Sequence, residues 1–155
     1  MKINSIILLF SFCIFTITCQ EKTDKRPAAK HDNYLTKTQW LIRNFKVIGT
    51  DNSAEEYILY KNKDTSQLWN FSAVDFTDES HFTSYNSWEC GNDCFTTTDG
   101  TYRFVGESKV ELQIDSIRNT GICEEPVKRF SKPKKLLFQI EKSADSVILK
   151  KLDLI

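Results

Sequence analysis

The sequence predicts an all-β domain: an antiparallel up-and-down barrel or half-barrel of about eight strands, with a β-sandwich as the alternative. Three observations carry this. Val110, Leu112 and Ile114 alternate with Glu111, Gln113 and Asp115, the pattern of a strand with one dry face and one wet face. Short runs rich in aromatic and β-branched residues recur along the chain, separated by turn-prone residues. No convincing helix intervenes, so the strands must hide their edges among themselves, and a closed or strongly curved sheet does this most economically.

The strands are placed in order as follows. Residues 40–48 form the first, although helical spacing of Trp40, Ile42 or Arg43 and Val47 competes there. Residues 57–60 and 68–76 are the second and third, bounded by Gly49 to Asn52 and by Asn62 to Asp64. After a turn at Thr77 to Glu79, residues 81–88 are the fourth. Asp99-Gly100 is read as a turn before the fifth strand, 101–105, and Gly106-Glu107 as the turn into the sixth, 110–114. Asn119 to Gly121 is read as a turn, and residues 136–141 and 147–152 complete the set around Ser143 to Asp145.

The chain has 11 Phe, 5 Tyr and 3 Trp. Trp40, Trp69, Phe71, Phe76, Phe82, Trp88, Tyr102, Phe104 and Phe138 are the candidates for the barrel core or a ligand-facing wall. A barrel of eight strands is just wide enough to be filled by its own side chains or to hold one small ligand. Filling is favoured for a domain this small.

Ahead of the domain stand two further segments. Lys2 precedes a stretch, residues 3–18, whose only ionisable side chain is Cys13 and which is apolar almost throughout, the design of a secretory signal. It is shorter than the ~20 residues a spanning helix requires and is followed at once by Gln20-Glu21-Lys22-Thr23-Asp24-Lys25-Arg26. Residues 1–18 are therefore read as a cleaved signal peptide. Residues 19–37 are polar, hold Pro27 and His31, and lack the apolar surface needed to repay ordering; they read as a tether. Residues 38–155 are one β domain by length.

The cleavage region Thr16-Ile17-Thr18-Cys19 resembles a bacterial lipobox, with Thr where the family prefers Leu and where it prefers Gly, Ala or Ser. Relaxed versions of this kind are familiar in Bacteroidetes outer-membrane lipoproteins. The resemblance implies acylation of Cys19 and attachment to a lipid membrane, where each buried methylene contributes ~0.8 kcal/mol. Gln20, standing where an inner-membrane retention signal would be Asp, implies the outer membrane; the inward or outward face is left open.

A second resemblance lies at the start of the domain. Leu35-Thr36-Lys37-Thr38-Gln39-Trp40 resembles the opening of bacterial lipocalin-like domains, in which the Trp plugs the barrel floor, although Thr38 stands where Gly is expected. Gly100-Thr101-Tyr102-Arg103-Phe104, followed by residues 109–114, resembles their Gly-x-Tyr hairpin. What this implies is a binding or interaction module, for a small apolar ligand, for envelope structure or for a protein partner.

Charge and chemistry narrow the classes. The chain carries 21 basic and 21 acidic residues, and removal of Lys2 with the signal leaves 20 against 21. Nucleic acid, which demands clustered positive charge, is not an expected partner. Lys132, Lys134 and Lys135 flank Pro133 and are read as a solvated turn. Beyond Cys13 and Cys19, Cys90, Cys94 and Cys123 remain, and in an exported protein two of them are expected to pair. The turn residues between Cys90 and Cys94 favour that pairing, while Cys123 is the alternative partner that would tie a later strand end to the same tip. The spacing of these cysteines and of His81 fits no tetrahedral zinc knuckle, so no metal and no cofactor are expected.

Catalytic motifs are missing: there is no Gly-x-Ser-x-Gly, no phosphate loop and no His-Glu-x-x-His, and His81 is the domain's only histidine. Asp78-Glu79 and Glu124-Glu125 read as solvated acids. The chain is not expected to be an enzyme. A lipocalin-like binding or envelope-structural lipoprotein is the leading expectation. The alternative is a tethered inhibitor or immunity protein that meets an enzyme or toxin through the tip at residues 88–95.

Overall fold

The computed structural model describes residues 33–63, 66, 69–90 and 92–153. The segment expected to be a signal peptide, with Cys13, and Cys19 and most of the expected tether lie outside the described residues. Eight strands follow one another: β1 (Gln39–Ile42), β2 (Glu56–Lys61), β3 (Phe71–Phe76), β4 (His81–Ser87), β5 (Cys94–Phe104), β6 (Lys109–Gly121), β7 (Lys128–Lys142) and β8 (Ser146–Leu152). Every pairing is antiparallel, and the sheet closes on itself in the order β1-β2-β8-β7-β6-β5-β4-β3. The closed antiparallel barrel that the alternation predicts is therefore present.

From β3 to β8 the strands form a meander, but β1 sits between β2 and β3. Trp40, Leu41 and Ile42 are all buried, Trp40 and Ile42 in the interior core and Leu41 in the outer cluster with Phe71 and Ala73. The connection from Lys61 to Phe71 consequently passes from one side of β1 to the other. Alternation reports which face is dry, not which strand is the neighbour, so this exchange of place leaves no trace in the sequence pattern.

Three boundaries differ from the sequence-based expectation. The first strand stops at Ile42, not 48; Phe45 takes a left-handed φ of 55° and the chain turns into the barrel mouth. Asp99-Gly100 is a register shift inside β5 and not a turn. A side chain on Gly100 would meet the Gln113 carbonyl oxygen at 2.0 Å, so glycine marks a close backbone approach at a bulge. Asn119-Thr120 continues β6, and Pro133 lies within β7 where the register slips between the Ile114↔Lys134 and Ser116↔Arg129 pairs. Proline is tolerated at such an irregularity, where no ladder bond is lost.

Two ends define the barrel. At one, the β3–β4, β5–β6 and β7–β8 hairpins meet residues 33–38. These residues belong to the domain and not to the tether: Leu35 is fully buried, Trp40 Nε1 donates to the Leu35 carbonyl at 2.9 Å, and Asn33 donates to Tyr102 Oη at 2.7 Å. The Lys142 ammonium lies 3.8 Å from the Tyr34 ring centroid, an additional cation–π tie. At the other end, β5, β6 and β7 project beyond their neighbours, since β4 pairs with β5 only from Thr97 onward and β8 meets β7 only from Leu137. The projecting edge of β7 carries Lys132, Pro133, Lys134 and Lys135, residues that discourage edge-to-edge pairing.

Candidate functional site

The inward residues of β7 and β8 recur at every second position. Leu136, Phe138 and Ile140 face the core from β7, and Val147 and Leu149 from β8. Carried one step further toward the projecting end, the same parity reaches Lys134 on β7 and Lys151 on β8. Two ammonium groups thus stand where the pattern would otherwise place apolar side chains.

Above them the β1–β2 connection, residues 43–55, closes the mouth as a plug. Val47, Ile48 and Ala54 are buried. Buried backbone polar groups need partners, and two buried hydroxyls inside the barrel supply them. Ile48 N–H donates to Ser84 Oγ at 3.1 Å, and Thr98 Oγ1 donates to the Ile48 carbonyl at 2.9 Å. Gly49 N–H donates to Tyr57 Oη at 3.3 Å. The plug is braced by Lys46, which reaches Asp51 at 2.6 Å, while Asp51 Oδ1 accepts Ser53 N–H at 2.8 Å. The Lys46 and Ser53 contacts hold the Asp51 carboxyl well below the usual carboxylate range.

Between plug and wall lies a cavity of about 210 Å³, lined by Asp51, Asn52, Ala54, Tyr57, Lys134, Leu136, Phe138 and Lys151. Lys134 Nζ donates to the Gly49 carbonyl at 2.8 Å and to Asn52 Oδ1 at 2.5 Å. Lys151 Nζ donates to the Asn52 carbonyl at 2.8 Å. Among the described residues neither ammonium forms an ion pair with a carboxylate. Burial, helped by the charges of Lys151 and Lys128, pushes the Lys134 pKa below its usual value, and burial raises that of Tyr57. A groove of about 110 Å³ adjoins the cavity, sharing Leu136 and Lys151 and adding Lys135, Leu137, Leu152 and Asp153.

The aromatic candidates divide. Trp40, Phe82, Tyr102 and Phe138 are buried in the barrel interior, and the partly buried Phe104 packs against them. Phe138 alone of these lines the cavity. Phe71 is a correction: it is buried, but on the outer face with Leu41, Ala73 and Tyr85, because β3 turns Ser72, Val74 and Phe76 inward, so odd positions face out. Trp69 precedes β3 and is 50% exposed. Trp88 lies just past the end of β4 and stacks on the exposed Phe45, ring centroids 6.4 Å apart. Neither Trp69 nor Trp88 belongs to the barrel core.

The expected Cys90–Cys94 pairing is also corrected. Cys94 is bonded to Cys123, with Cα atoms 5.3 Å apart, and Cys90 is a free, exposed thiol. Because β6 extends through residues first read as a turn, Gly121 lies opposite Cys94 in the ladder and delivers Cys123 to it. Nearby Ile122 is 75% exposed. His81 is an exposed strand residue, its Nδ1 2.7 Å from Asp78 Oδ2. Among the described residues no group of three or more His, Cys, Asp or Glu side chains is placed to hold a metal.

The sequence pattern around Pro133 predicts a solvated turn for Lys134 and gives Lys151 no role, whereas Lys134 lies in β7 and both lysines line the cavity. The signal available was parity: each lysine continues an inward alternation begun by apolar residues. The plug itself was hidden inside a segment read as strand. Compared with known proteins, the chain matches no family, no curated protein and no solved structure.

Proposed function

We propose that this chain is a membrane-anchored lipoprotein of the cell envelope, held by acylated Cys19 at the outer membrane, whose lipocalin-like barrel binds a small ligand. The observation that carries the binding reading is the cavity between the plug and the inner wall of β7 and β8, half lined by Ala54, Tyr57, Leu136 and Phe138. Pockets that combine apolar walls with a few convergent polar groups are the usual form of small-molecule sites. Asn33 is bonded at the hairpin end of the barrel, and the cavity lies at the other end of the barrel.

Mass spectrometry of the protein extracted from its own membrane tests both halves. The expected result is a chain beginning at a diacylated Cys19, carrying a small non-covalent adduct under native conditions. A chain that retains residues 1–18, or begins at an unmodified residue, overturns the anchor; an adduct-free chain that also takes up no short-chain probe overturns the binding role.

A second reading has its own observation. Ile122 and Val127, in the β6–β7 connection beside the Cys94–Cys123 bond, and Phe45, stacked on Trp88, are large, exposed apolar side chains, and exposed apolar surface is a common form of protein contact. A tethered inhibitor would use the stapled tip in this way, and pull-down from envelope extract with an Ile122→Glu control checks it.

A further inference from the structure

The cavity's polar groups specify a kind of ligand. Placing an ammonium at an inward barrel position costs free energy unless an acceptor meets it, and the acceptors met by Lys134 and Lys151 are neutral oxygens of the plug, on Gly49 and Asn52. An ammonium has three donors. In these contacts Lys134 uses two and Lys151 one, which leaves donors from both chains for an anion at the same mouth.

Asp51 is the acid among the cavity's lining residues, and Lys46 already neutralises it at 2.6 Å. Asp153 lines the adjoining groove but makes no ion pair with Lys151 among the described residues. The field at the mouth is therefore positive, while the wall below it is Tyr57, Leu136, Phe138 and Ala54. A dry cavity of ~150 Å³ accepts a benzene-sized molecule. A space of about 210 Å³ accordingly suits an apolar body of roughly six to eight heavy atoms.

Resting on the reading of this cavity as a ligand site, we infer that its ligand is a small amphiphilic anion: a short-chain carboxylate, its head between Lys134 and Lys151 and its apolar body against Leu136 and Phe138. The charged head accepts from the donors that the plug's oxygens leave free, in hydrogen bonds assisted by charge on both sides. The apolar body fills the wall left bare beneath the plug.

Calorimetric titration of the full chain in a non-ionic detergent with hexanoate, hexan-1-ol and inorganic phosphate separates the possibilities. Hexanoate is expected to bind at least about tenfold more tightly than hexan-1-ol, since hydrogen bonds between two charged groups are stronger than those to a neutral hydroxyl. Lys134→Met and Lys151→Met keep an apolar stem of similar length; each is expected to weaken hexanoate about tenfold and leave hexan-1-ol unchanged. The comparison on the unmodified protein stands even where a variant fails to fold. Equal or tighter binding of hexan-1-ol overturns the anionic head while leaving the cavity reading intact. Phosphate binding as tightly as hexanoate overturns the apolar body, and binding of none of the three removes the cavity reading itself.

Discussion

Gly49 sits at the point where the plug meets the core. Its φ of 86° is in the left-handed region, which costs any L side chain, and a Cβ there would lie 1.8 Å from Ile114 Cδ1. Gly49→Ala is expected to destabilise the domain by at least about 1 kcal/mol, read as a lower midpoint in urea unfolding. Sequence marked Gly49 only as a turn residue; that it must be glycine depends on Ile114, which reaches it across the barrel. Asp78 is a second informative residue. Its carboxylate accepts the backbone N–H groups of Ser80 and His81 and contacts the His81 ring, and these contacts, Ser80 first, lower its pKa from 3.8 to about 2. A carboxyl whose folded pKa is depressed stabilises the fold above its unfolded value and loses that contribution as pH falls through the folded one. Between pH 4 and about 2 the urea midpoint is expected to fall, and to fall less in Asp78→Asn, whose amide does not titrate.

Among the elements, the β5–β6–β7 projection carries the clearest consequence. The Cys94–Cys123 bond spans 29 residues, and the chain-entropy treatment of such a loop gives about 3–4 kcal/mol of stabilisation. Replacing Cys123 by Ser is expected to lower unfolding free energy by an amount of that order, whereas Cys90→Ser is expected to leave it unchanged; an effect confined to Cys90→Ser would contradict the pairing. The strands of the meander were legible because alternation survives wherever one face is wet. What was not legible is how far β5 and β6 run: Asp99-Gly100 and Asn119 to Gly121 carry turn chemistry, yet tertiary pairing absorbs the first as a bulge and the second as a strand end. With those ends misplaced, the ladder that brings Cys123 to Cys94 could not be drawn. The same limitation hid the plug, since residues 43–48 are apolar enough to read as strand, and only closure of the barrel makes them a lid.

For the whole molecule, closure makes two unlike ends. Residues 33–38 and the hairpins seal one end with Leu35, Tyr34 and Trp40. The plug seals the other incompletely and leaves a cavity under two lysines. The eight-strand barrel followed from counting alternating runs, and its largely filled interior follows from the aromatic residues of those runs. The cavity did not follow, because its position depends on where the plug stops and on lysines whose meaning lies in parity rather than in composition. The domain meets its ligand, on the reading proposed above, in this cavity and not at the exposed tip. Methyl NMR of the full chain during titration with hexanoate tests it most directly. Saturable shifts at Ala54 and Leu136, with Ile122 and Val127 unmoved, are expected if the cavity is the site; unmoved cavity methyls, with shifts at Ile122 and Val127 on adding envelope extract, place the contact at the tip instead.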